Sequence, residues 1–139
     1  MKKSLLLFLL LLGASTYAQK FDLGKVTVQE LSEKVCPIDS SAPAAVLFSI
    51  GKTTFNYSSD DGFRIVTEII TKIKIYKKEG YEYANHKEHY FIGGNSGAEQ
   101  VAYSKAAIYN LVNGKVEKTK LSSEGEFKEE LNKSWACLS

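Results

Sequence analysis

Two cysteines and two histidines are the side chains of this sequence best equipped for nucleophilic or metal chemistry. Cys36 lies towards the front of the chain and Cys137 near its end, while His86 and His89 stand three positions apart. Three-residue spacing brings two imidazoles to one face of a helix but turns them to opposite faces of a strand. The neighbours Tyr83, Tyr90, Phe91 and Ile92 favour a strand. Shared ligation of a metal such as zinc is therefore not expected. Cys137 with one of the histidines would make a thiol nucleophile and its base. Such a pair needs adjacency and a third, orienting group, and nothing in the spacing supplies them. Cys137 also falls where chain ends fray. Cys36 and Cys137 are free to pair in an oxidising compartment, although no spacing pattern imposes a disulfide framework.

Three further groups invite a binding reading. Gly93-Gly94-Asn95-Ser96-Gly97 has the glycines of a phosphate cradle. It lacks the Gly-Lys-Ser/Thr that opens a helix, and Glu99 would repel a phosphate, so a hairpin loop is expected. Lys72, Lys74, Lys77 and Lys78 form a local basic patch, expected to be a solvated strand face that also protects a sheet edge. Tyr81, Tyr83, Tyr90, Tyr103 and Tyr109 could line a sugar- or peptide-binding face; packing between strands is the commoner role of such residues. No catalytic, cofactor-binding or metal-binding residue is assigned, and no cofactor is expected.

The elements that must carry these residues read mainly as β. Thr27-Val28-Gln29-Glu30 fits a capping box opening a short helix to about Val35, stopped before Pro37. Residues 44–48 form an apolar run that Gly51 breaks, and residues 53–57 alternate. Residues 63–76 are the clearest strand. Apolar residues hold five of the seven odd positions against three of the seven even ones, which places the odd face on a core and leaves the even face largely wet. Residues 81–92 and 100–112 read as further strands. Asn113-Gly114 supplies a type I′ turn returning through residues 116–121. Residues 126–133 suggest a helical turn. The expected fold is one antiparallel, sandwich-like β domain over residues 19–139 with a minor helix near its start.

Residues 1–18 read as a secretory signal. Lys2 and Lys3 precede an unbroken apolar run over residues 5–12, and Ala14-Ser15-Thr16-Tyr17-Ala18 offers small residues for cleavage. The run is well short of the ~20 residues of a spanning helix, so no stable membrane span is expected after cleavage. The expected location is the periplasm or the cell surface. Lys2 and Lys3 are two of the 18 basic side chains, and without them the rest balance the 16 acidic ones. A nucleic-acid partner, which requires a basic surplus, is excluded from the expectation.

Several stretches together resemble one family. They are Ser40-Ser41-Ala42-Pro43-Ala44, Gly51-Lys52-Thr53-Thr54-Phe55, Lys72-Ile73-Lys74-Ile75-Tyr76-Lys77-Lys78-Glu79-Gly80 and Tyr109-Asn110-Leu111-Val112-Asn113-Gly114-Lys115. In order and spacing they are similar to the domain of unknown function that precedes a transglutaminase-like domain in exported proteins of Bacteroidetes. The resemblance spans roughly residues 19–135. It implies a sandwich-like, non-catalytic module whose partner is a downstream transglutaminase-like domain. The cysteine–histidine–aspartate centre of such proteins lies in that following domain, so no catalytic residue transfers to this chain. Relatives continue past the counterpart of Trp135 into further strands, whereas this sequence runs Ala136-Cys137-Leu138-Ser139. The expectation is a sheet incomplete at the C-terminus, with marginal stability or self-association. Two alternatives stand beside the module: a carbohydrate- or peptide-binding domain using the Tyr-rich strands, and a non-functional fragment of a decayed gene.

Overall fold

The computed structural model describes residues 23–60, 62–93 and 97–139. Among these residues the fold is mainly β, with antiparallel sheets and one short helix, as the alternation indicates. The secretory segment, residues 1–18, lies outside the described residues. Among those residues no helix is long and apolar enough to cross a membrane.

Helix α1 is Val28–Ser32. Its start follows the sequence, because the Thr27 hydroxyl accepts the Glu30 amide at 3.1 Å. The reciprocal arm of the capping box is absent: the Glu30 carboxylate turns to Lys72 Nζ, 2.7 Å away. A charged partner across the fold outcompetes the backbone amide, and the helix closes at Glu33, earlier than expected.

Strands β1 (Ala44–Ser58) and β2 (Gly62–Ile75) form a long two-stranded ribbon. Gly51 does not interrupt β1. It pairs with Ile69 inside a continuous ladder, and the irregularity falls instead at Leu47, between Val46 and Phe48. A regular 14-residue partner holds the glycine extended. Rungs on the odd face alternate in character: Tyr57/Phe63 and Phe55/Ile65 at the tip, then Thr53/Thr67 with hydroxyls 3.0 Å apart, Gly51/Ile69, and Ser49/Thr71 at 2.9 Å.

The expected burial of the odd face is not found: residues 63–71 of β2 are exposed on both faces, and the covered side chains at its base, Lys72 and Lys74, belong to the even face. Phe63 is 85% exposed and Ile65 67%, while Lys74 on the even face is only 8% exposed. Alternation fixes which residues share a face, but the covering element decides which face is inside. That element is α1, whose acidic residues draw in the lysine side.

The next element is a 3-10 turn, Lys78–Ala84, which takes residues 81–84 out of the expected strand. Gly80 is buried against Pro43, whose carbonyl accepts the amides of Tyr76 and Lys77 at 2.9 and 3.1 Å. β3 is confined to Glu88–Phe91. β4 (Ala107–Val112) and β5 (Lys115–Lys120) form a separate hairpin. Its Asn113-Gly114 turn has the positive φ angles of 50° and 74° that the dipeptide was expected to supply. Residues 100–106 stay outside the strand.

Lys128–Glu130 is strand β6, in place of the expected helical turn, and Trp135–Leu138 is β7. Asn132 Oδ1 closes the corner between them by accepting the Ser134 and Trp135 amides at 2.9 and 3.0 Å. β7 lies between β3 and β6. The expected fraying therefore does not occur: a strand hydrogen-bonded on both sides is the best-protected position in a sheet. Leu138 has no exposed surface, and Ala136 and Cys137 are buried beside it.

Candidate functional site

The structure gathers Lys72 and Lys74 around α1 instead of leaving them solvated, while Lys78 stays exposed at the start of the 3-10 turn. Lys72 reaches Glu30 and the Lys25 carbonyl, and Lys74 reaches Glu33 at 2.8 Å and the Glu30 carbonyl. Lys74 Nζ also stands 4.8 Å from the centre of the Tyr76 ring. Lys77 donates to the carbonyls of Ser40 and Ser41. These contacts fasten α1 and the segment after it to the base of the β1–β2 ribbon.

Cys36 is buried in the corner that this lattice encloses. The backbone amides of Asp39 and Ile38 turn towards its sulfur, and the Tyr76 hydroxyl adds a third donor; together they hold the thiol below its ordinary value of 9.0. Burial, and then the neighbouring thiol, raise the Tyr76 phenol. Asp39 shapes the corner: its carboxylate accepts the Ser41 amide at 2.8 Å and the Ser41 hydroxyl at 2.6 Å, which lowers its own pKa. The groups that reach the sulfur are donors. They favour a thiolate but do not constitute a base for a nucleophilic reaction. The sequence signal was present in Cys36-Pro37-Ile38-Asp39-Ser40-Ser41, where a turn sequence follows a cysteine just beyond a helix.

His86 and His89 are not brought together. His86 precedes β3, pairs with Glu88 at 3.4 Å and meets the Tyr103 ring edge-on. His89 lies on β3 opposite Cys137, and Cys137 lies opposite Glu129 of β6. A thiol, an imidazole and a carboxylate thus share one cross-strand row. Their order is wrong for a catalytic triad, however. Cys137 stands in the middle, so the acid is about two strand spacings from the histidine it would have to orient, on the order of 9–10 Å. Cys137 is buried and its sulfur faces the Leu138 carbonyl at 3.8 Å, while His89 is exposed. Among the described residues, no group of three or more Cys, His, Asp or Glu residues could hold a metal. Both cysteines are free thiols.

No family model, no curated protein and no solved structure matches this chain.

The glycine loop is a closure device in its described parts; Gly94, Asn95 and Ser96 lie outside the described residues. The Glu99 carboxylate accepts the Phe91 amide at 2.7 Å, and the Glu99 amide donates to the Phe91 carbonyl at 2.7 Å. A side chain on Gly93 would run into the Lys133 carbonyl at 2.8 Å. The first glycine thus permits close approach of two backbones.

The tyrosines separate onto different elements. Tyr81 and Tyr83 are exposed on the 3-10 turn, Tyr90 is on β3, and Tyr109 is on β4 beside Lys118. Tyr103 is a clamp. Its hydroxyl proton is shared between the carbonyls of His86 and Leu138, at 3.0 and 3.1 Å, and burial raises its pKa. No common aromatic face is built from the five.

Proposed function

We propose that this chain is an exported, non-catalytic β module that serves assembly or substrate presentation for a downstream transglutaminase-like domain. The observation that carries the reading is the uncovered apolar side of the β1–β2 ribbon, with Phe63 85% exposed, at some remove from a small core around Leu138. Isolated domains seldom leave so many large apolar side chains of one strand pair in water; such surfaces mark association sites. The order of the His89–Cys137–Glu129 row, with the buried thiol between imidazole and carboxylate, and the donor-only surroundings of Cys36 support the non-catalytic part. The resemblance of the stretches from Ser40 to Lys115 supports the choice of domain, and Lys2, Lys3 and the apolar run after them support export.

The test joins the chain to a transglutaminase-like domain of the same genome and assays it against the separated parts. The expected result is that the chain alone turns over no peptide or amide substrate, while its presence raises the soluble yield or activity of the domain. Substrate turnover by the chain alone would end this reading.

A further inference from the structure

The outer edge of β2 carries no neighbouring strand among the described residues. Its two halves differ. Towards Ile75, Lys72 and Lys74 lie under α1, and a lysine-rich, covered edge resists pairing. Towards the tip, Phe63–Ile70 has neither lysine nor proline and no irregularity on the β2 side of the ladder. The outer edge of β1 is less suited to pairing, because the bulge at Leu47 bends it.

We propose that a second copy of this chain docks on this edge, β2 against β2, antiparallel about a two-fold axis through Val66. The charges select the occupant and the register. Arg64 and Glu68, both exposed, lie two residues either side of Val66 on the even face. Rotation about Val66 sets Arg64 opposite Glu68 of the second copy, and Glu68 opposite its Arg64. Lys52 already lies opposite Glu68 within one chain, so each Glu68 would stand between two cations across a four-stranded sheet. On the odd face the same register opposes Phe63 with Ile69 and Ile65 with Thr67. Such cross-strand pairs are the units that stabilise a sheet, and like charges directly opposed destabilise it. A self-complementary patch of this kind is what a two-fold interface requires.

Neighbouring registers are worse. An axis through Glu68 sets glutamate on glutamate and Arg64 on Lys72. An axis through Thr67 opposes Arg64 with Ile70 and Glu68 with Val66. An axis through Ile70 pairs Glu68 with Lys72, but it would bring the second copy against α1, whose Glu30 lies on Lys72. The dimer stands independently of the downstream domain, since it uses only residues of this ribbon.

The test uses the full chain and four variants, with the mass of the wild type and the charge variants in solution read by sedimentation. The wild type is expected at twice the chain mass. Arg64→Glu and Glu68→Arg are each expected at one chain mass, because each opposes like charges across the axis. An equimolar mixture of the two is expected to return to twice the chain mass, since each supplies the charges the other lacks. Circular dichroism reports that the single variants keep their strands. In an otherwise native background, Val66→Cys should join to itself through a short thiol cross-linker more readily than Ile70→Cys. A monomeric wild type, single variants that remain dimeric, a mixture that stays monomeric, or preferential joining at Ile70 would each overturn the proposal.

Discussion

Cys36 owes its acidity to a corner built by its neighbours. The Asp39 and Ile38 amides come first, and the Tyr76 hydroxyl adds to them. Tyr76→Phe removes one donor and should raise the pH midpoint of Cys36 alkylation towards 9.0, with rates followed by mass spectrometry of the Cys36 peptide. An unchanged midpoint would show that the phenol does not reach the sulfur. Asp39 has the opposite kind of dependence. Its folded pKa lies below the ordinary 3.8, so its contribution is complete above 3.8 and disappears as pH falls through the lowered folded value. Asp39→Asn retains an acceptor for Ser41 without the titration. The stability difference between wild type and this variant, from denaturant melts, should be constant at neutral pH and shrink in acid.

At the scale of elements, local signals were legible where the chain needed no partner to decide. Residues 63–76 announced β2 to within one residue, Asn113-Gly114 announced its hairpin, and Thr27 announced the start of α1. The errors fell where distant contacts decide. Residues 81–84 carry strand-forming tyrosines but form a 3-10 turn, because Gly80 must press against Pro43 at the base of the ribbon. Residues 128–130 became strand because β7 offered an edge to pair with. The buried side of β2 depended on α1, forty residues upstream of Lys72, and no local pattern encodes that choice. The candidate site was legible only as a list of separate residues; the donors around Cys36 come from a turn and a strand that meet only after folding. Gly80→Ala tests the decisive contact. The added methyl would strike the Pro43 carbonyl, backbone against side chain with no free rotamer to relieve it. The expected loss is about 1–3 kcal/mol in chemical denaturation, as in overpacked cores. A variant as stable as wild type would remove Gly80 from its place as the hinge of this packing.

Across the whole molecule, apolar area and apolar burial are concentrated in different places. The long ribbon holds more of the large exposed apolar side chains than any other element, whereas the buried apolar ones, Cys36 apart, lie in the short sheet of β3, β7 and β6. Stability of the single chain should therefore depend on that short sheet more than on the ribbon tip. Leu138→Ala is expected to cost about 2–5 kcal/mol, the range for removing a fully buried leucine. Phe63→Ser in the dilute chain is expected to cost about 0.5–1.5 kcal/mol, since the ring is exposed and its aromatic contact is with Tyr57, centroids 4.9 Å apart. At high concentration the two should no longer rank so simply. Phe63 then faces Ile69 of a second copy, so its replacement should lower the melting temperature of the concentrated sample further than that of the dilute one. Equal losses from Phe63→Ser at both concentrations would mean that the ring packs on Tyr57 of its own chain and meets no second copy.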